Sequence, residues 1–186
     1  VRSADAWTIR RLDATEALAS VPALSEVLMD CVNAGASVGF MQPITLATAT
    51  GFWEMVAEGV ARRERVLLVA TDADERIVGT VQLVFAVPEN QPHRADVAKM
   101  LVHSTARRRG IAAGLLQAVE EAARAENRTV LVLDAVTDGD AARLYARSGW
   151  QRVGDVPDFA LMPDGPCCST TYFYKSLGYS TSLRGG

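Results

Sequence analysis

"STARRRGIAAGLLQAVEEA" (residues 104–122) places three consecutive arginines, then a glycine, then a run with helical spacing. The stretch before it, "DVAKMLVH" (residues 96–103), reads as a strand, so the arginines stand at a strand-to-helix junction. From 110 to 126 the pattern is amphipathic. Ile111, Leu115, Val119 and Ala122 line one face, with Glu120, Glu121 and Arg124 expected on the other. At such a junction the first-turn amides have no partner inside the helix, and with the helix dipole they form an anion site. Gly110 lets the backbone approach an anion closely, and Ala112 and Ala113 leave the first turn uncrowded. A solvated basic helix start remains the alternative. Neither G-x-x-x-x-G-K-[ST] nor G-x-G-x-x-G is present.

Outward from this junction, strands and helices alternate. "WTIRRL" opens as a short strand, and residues 14–34 have helical spacing anchored by Leu18, Val21, Leu24, Leu28 and Val32. Pro22 makes one broken helix or two short ones. "GASVGFMQP" (35–43) is a loop, and 46–62 is a helix capped by Thr45. "RVLLVAT" (65–71) is a buried strand, and "IVGTVQLVFAV" (77–87) pairs back on it. After the central helix come a strand at 129–135, a helix at 141–148 ended by Gly149, and two closing strands at 150–156 and 169–177. The order β-α-α-β-β-β-α-β-α-β-β predicts a mixed α/β sheet with helices on both faces. Residues 1–177 are expected to be one domain. Residues 178–186 are expected to be a tail, disordered or appended to the natural chain.

The formal net charge is −3, with 19 Lys and Arg against 22 Asp and Glu, which excludes a global basic field and makes nucleic acid an unexpected partner. Lysine occurs only as Lys99 and Lys175, so any positive patch is made of arginine. Cys31, Cys167 and Cys168 form no C-x-x-C pair, which speaks against a disulfide framework or a zinc site and for a reducing cytoplasm. No apolar run approaches the ~20 residues of a membrane span, and the N-terminus has no signal-peptide pattern, so no membrane partner is expected.

The strand, then Arg107-x-x-Gly110-x-Ala112, then the apolar helix, resembles the acetyl-CoA loop of the GNAT superfamily of N-acetyltransferases. "DGDAARLYARSGWQRVG" (138–154) is similar to that family's Asn-x-x-Ala-x-x-Leu-Tyr...Gly-Phe segment. Ala141, Leu144, Tyr145 and Gly149 match it, Asp138 replaces Asn and Trp150 replaces Phe. The resemblance covers residues 7–177 and implies a mostly antiparallel, twisted GNAT-type sheet. Within the family, "GASVGFM", "HRADVAKMLV" and "TARRRG" look most like the tabtoxin-resistance and kasugamycin (aminoglycoside) 2'-N-acetyltransferase branches.

The resemblance implies roles. The amides of Arg107, Arg108, Arg109, Gly110, Ile111, Ala112 and Ala113 would hold the CoA pyrophosphate, with arginine side chains at the rim. The backbone of Met100, Leu101 and Val102 would run beside pantetheine, with Asp138 and Ala141 bordering it. Asp138 can cap the following helix but lacks the amide donor of the family's asparagine. Tyr145 would protonate the leaving thiolate, and Asp96 and Asp134 would bind the acceptor and take its proton. His103 is expected at the surface, and Glu89 and His93 in a solvated loop. Asn33, Ser37, Phe40, Asp96 and Asp134 would line the acceptor pocket, with Asp140 and Asp158 as further acids. That acidic composition points to a small cationic amine such as an aminoglycoside antibiotic, acetylated for resistance or self-protection. Alternatives are a tabtoxinine-like toxin or a protein or peptide amine. Acetyl-CoA is the expected donor, CoA the product, and a monomer or homodimer the expected state.

Overall fold

The computed structural model describes residues 6–178. Residues 179–186, most of the expected tail, lie outside the described residues. Seven strands, β1 (Trp7–Leu12), β2 (Arg65–Asp72), β3 (Ile77–Phe85), β4 (Arg94–Val102), β5 (Val130–Val136), β6 (Gln151–Leu161) and β7 (Cys167–Ser176), form one sheet in the order β1-β2-β3-β4-β5-β7-β6. Every neighbouring pair is antiparallel except β4 and β5.

The continuous apolar run of β2 is explained by burial on both faces. Val66, Leu68 and Ala70 join the core under α4 (Ile111–Ala125) and α5 (Asp140–Arg147). Leu67 and Val69 join a second core under α1 (Ala14–Ala19), α2 (Val21–Asn33) and α3 (Leu46–Ala61), where Trp53 is fully buried. Alternate residues of a strand face opposite sides, so a two-sided core needs an unbroken apolar sequence.

The expected helix over 14–34 is two helices meeting at Ser20. Asp13 and Glu16 form a capping box at the start of α1, and Pro22 sits in the first turn of α2, where its missing N–H costs nothing. The break re-phases the apolar face: Leu18 is 60% exposed and Ala17 takes the buried position. Thr45 caps α3 as its sequence predicts, accepting from the amide of Thr48. The closing hairpin is longer than its alternation suggests, with register irregularities between Arg152 and Gly154 and between Val156 and Ala160.

Glu120 is a second correction. It is buried, not on the solvent face of α4. Its carboxylate accepts from Trp150 Nε1 at 3.0 Å and from Lys175 Nζ at 2.7 and 2.8 Å, so the charge is paired and hydrogen-bonded inside the core.

Candidate active site

β4 and β5 pair only over Arg94–Asp96 and Val130–Val132. Beyond that the parallel partners separate, while β5 stays paired to β7 through Val136. A bulge in β4 lies at the start of this gap: Thr80 and Gln82, two apart on β3, face Leu101 and Ala98, three apart on β4. Lys99 occupies the bulge with φ 50°, and a bulge bends and twists its strand. It also reverses the side-chain alternation. Ala95 and Val97 face the α4 core, and after the bulge Leu101 faces the α2–α3 core, while Met100 and Val102 pack toward α4.

At the end of β4 the chain makes a 3₁₀ turn (Ser104–Ala106) and enters α4 through Arg108 and Gly110, both with left-handed backbone, φ 62° and 80°. Trp7 Nε1 donates to the Arg109 carbonyl at 2.9 Å, fixing the turn to β1. Gly110 is the helix N-cap and offers no capping side chain, so the first-turn amides of α4 have no side-chain acceptor there. A Cβ at Gly110 would meet nothing closer than Trp7 at 3.9 Å, so backbone conformation, not crowding within the protein, requires glycine. At Gly114 crowding decides: a Cβ would lie 2.5 Å from the Trp7 ring. This turn has the donors and the open approach that a pyrophosphate needs.

The three arginines diverge. Arg107 folds back, its Nε donating to the Val102 carbonyl at 3.3 Å, and Cys31 Sγ donates to the same oxygen at 3.4 Å. That carbonyl is therefore already engaged on the gap side of β4. Arg108 is exposed, and its charge helps hold the Asp140 carboxyl below its usual range, mainly an effect of Arg143. Asp138 does not cap α5. It takes φ 58°, Gly139 is the N-cap, and Asp138 contributes its carbonyl to Arg143 Nη1 at 2.8 Å. Aspartate tolerates the left-handed conformation, which accounts for an Asp or Asn at this turn. Ala141 is exposed in the first turn of α5, and Ala142 is the buried neighbour.

The expected acids share a face. Asp96 lies level with Val132, two residues before Asp134 on β5, and both point away from the α4 core that holds Leu131 and Leu133. Asp96 is tied to Arg94 Nη1 at 2.7 Å. Asp134 accepts from Thr170 Oγ1 at 3.1 Å. Tyr145 is buried on the opposite face of the sheet, in the core under α4 and α5, against Trp150 and Phe173. Burial, and secondarily the charge of Asp134, push its phenol up to about 12.

Lys99 is the residue that sequence reasoning missed. Its Nζ lies 5.9 Å from the Phe40 ring centroid and 5.7 Å from that of Phe52, with the two rings edge-to-face at 5.2 Å. Burial lowers its pKa, and the charge of Asp134 pushes it back up. Lys99, Phe40 and Asp134 therefore border one space at the mouth of the gap.

The 35–43 loop closes over this region. Ser37 Oγ donates to the Leu161 carbonyl at 3.1 Å, and the Gln42 amide to that of Pro163 at 2.9 Å. Asn33, at the exposed end of α2, is not brought to the gap by any hydrogen bond among the described residues. Asp140 is bound to Arg143 at 2.9 Å, and Asp158 is exposed on β6. His103 belongs to a surface turn with Thr105 and Asp30.

The Acetyltransferase (GNAT) family matches residues 40–150. An uncharacterised N-acetyltransferase from the hisH–hisA intergenic region of Azospirillum brasilense is 34% identical over 129 residues, covering 68% of this chain and 74% of that protein. The fold is similar to that of a GCN5-related N-acetyltransferase from Kribbella flavida, with a TM-score of 0.76 at 24% identity, covering 94% of this chain and all of that one. It is also similar to the yncA protein of Salmonella typhimurium, solved with acetyl-CoA, with a TM-score of 0.76 at 16% identity, covering 97% and 99%. The match over residues 40–150, which hold the glycine turn, the split strands and α5, shows that the chain belongs to the GNAT family of acetyltransferases, enzymes that take their acetyl group from acetyl-CoA.

Proposed function

We propose that residues 1–177 act as one domain that acetylates the amine of a small molecule in the space between Lys99, Asp134 and Tyr145. Acetyl-CoA supplies the thioester. The turn from Arg107 to Ala113 binds its phosphates through backbone amides, and the unpaired stretch of β4 at Met100 and Leu101 borders pantetheine. Val102, its carbonyl occupied by Arg107, contributes less than its neighbours.

The acceptor amine must be uncharged to attack. Asp134, held by Thr170, takes its proton directly or through water, and Asp96 on the same face supports it. Tyr145, with its phenol pushed up to about 12, stays protonated at neutral pH and donates to the departing sulfur. Phe40 and Phe52 wall the acceptor side, and Ser37 holds the loop in place.

The observation that carries the acceptor class is Lys99 opposite Asp134. One cation and one anion suit an amine that also bears an anionic group, a class that includes tabtoxinine-like toxins. A polycationic aminoglycoside such as kasugamycin is the second reading, favoured by Asp96 and Asp134 on one face. The latched 35–43 loop disfavours a peptide acceptor, which needs an open groove. No helix among the described residues is long and apolar enough to cross a membrane.

The test is thiol release from acetyl-CoA across a panel of zwitterionic amines, kasugamycin and other aminoglycosides. The expected result is turnover with at least one zwitterionic amine above every aminoglycoside. Turnover only with aminoglycosides would select the second reading, and none across the panel would overturn both.

A further inference from the structure

At the end of the sheet remote from the gap lies an open cavity of about 420 Å³ bordered by Arg11, Arg63, Arg65, Arg128, Phe85 and Glu126. It sits at the C-terminal end of α4, while the glycine turn sits at its N-terminal end. The 15 residues between them span about 22 Å at 1.5 Å each. The proposed reaction uses none of its residues.

The cavity is strongly basic in a chain whose net charge is −3. Its one carboxylate, Glu126, is taken by Arg11 at 2.7 Å. Arg63, Arg65 and Arg128 make no ion pair with a carboxylate among the described residues, although surface arginines elsewhere do, such as Arg10, Arg62 and Arg76. Glu64, the carboxylate whose charge acts on Arg65, is bonded to Arg62, so three guanidiniums border one cavity with no carboxylate bonded to them among the described residues, and an anion between them relieves their mutual repulsion.

Two of the three are held in place. Arg128 stacks on Phe85 with its guanidinium carbon 4.4 Å from the ring centroid, and its Nη1 donates to the Pro92 carbonyl. Arg65 donates from Nη1 to Gln82 Oε1 at 3.0 Å and lies against α3 at Gly59, where a Cβ would collide with its Nε. Glycine inside a helix costs about 1 kcal/mol relative to alanine. Here it makes room for a guanidinium. The Nε atoms of both arginines are buried and make no hydrogen bond among the described residues. Burial also lowers the Arg65 pKa, a sign that its charge is poorly solvated.

We propose that this cavity is a second anion site, separate from the acetyl-transfer site, that binds a small molecule carrying two or more phosphate groups. Several guanidinium forks converging from different elements match tetrahedral phosphate oxygens better than a single planar carboxylate. The volume falls within the range of small-ligand pockets and exceeds what one inorganic phosphate fills.

The test is calorimetric titration of pyrophosphate into the full chain carrying Gly110→Val, which disables the glycine turn without adding a competing phosphate ligand. One saturable site is expected. Arg63→Ser, an exposed substitution that leaves the core intact, should weaken it at least tenfold, and Gly59→Ala should do the same by displacing Arg65. Arg147→Ser, which removes an equal charge on α5, should change it less than twofold, and citrate should bind at least tenfold more weakly than pyrophosphate. No saturable binding, an equal loss in Arg147→Ser, or citrate binding as well as pyrophosphate would overturn the proposal.

Discussion

The indole N–H of Trp7 donates to the carbonyl of Arg109, 102 residues further along the chain, at 2.9 Å. The first strand thus holds the turn that leads into α4. Trp7→Phe keeps a ring against Gly114 but removes this donor, at a cost of about 1 kcal/mol in stability. The expected outcome in steady-state kinetics is a several-fold rise in KM for acetyl-CoA with kcat nearly unchanged.

Gly110→Val should weaken acetyl-CoA binding more than Arg108→Ala. Valine at φ 80° costs at least the 1–2 kcal/mol of a left-handed residue, and the turn must distort to accept it. Arg108 is exposed and contributes a screened charge. Equilibrium titration with CoA separates the two. Equal losses would return the side chains to the centre of phosphate recognition.

Tyr145→Phe should lower kcat by roughly 100-fold or more, the usual range for loss of a positioned acid, while acetyl-CoA affinity holds. A second signature lies in stability. The phenol titrates near 10 when unfolded and about 12 in the folded chain, so between those values the unfolded state binds fewer protons. Wild-type stability then falls from pH 10 to 12, and the Phe variant should lose less over that window in denaturant titrations.

Lys99→Met should raise the melting temperature at pH 7. Burial lowers the lysine pKa from 10.5, so between the folded and unfolded values the unfolded state binds more protons and wild-type stability climbs with pH. The advantage of the variant should shrink as pH approaches 10.5. In turnover, the same substitution should cost at least tenfold with anionic-group acceptors and leave aminoglycosides unaffected.

Glu120 and Lys175 make a buried ion pair, 10% and 22% exposed at the side chain. Lys175→Met leaves the carboxylate buried with only Trp150 and should cost about 3–5 kcal/mol. The double variant Glu120→Leu, Lys175→Met should be more stable than Lys175→Met alone. Chemical denaturation of the three proteins measures the difference.

Much of the scaffold is written locally. The Thr45 cap, the two-faced apolar run of β2 and the glycine after α5 are each read from a few adjacent residues. The glycine turn is legible for the same reason, since the left-handed N-cap of α4 falls at the glycine that follows the arginines. Lys99 was hidden because nothing in "VAKMLV" marks a bulge: lysine rarely adopts positive φ, and the alternation on either side looks continuous. Glu120 was hidden because its partners lie 30 and 55 residues away, and a helix carrying Glu120 and Glu121 side by side looks solvated. The cap assigned to Asp138 failed by one position, because the left-handed turn moves the N-cap to Gly139.

The bulge at Lys99 also makes β4 unequally tolerant of deletion and insertion. Deleting residue 99 would remove the extra residue and leave Met100, Leu101 and Val102 on their present faces, whereas inserting one residue beside it would turn the strand end inside out. Leu101 would then face α4, while Met100 and Val102 would be driven into the helices opposite. Variant libraries of this protein can therefore vary residue 99 within what a positive φ tolerates, and deletion of 99 should keep the fold while removing the bend that opens the gap, but an insertion beside it should abolish folding and catalysis together.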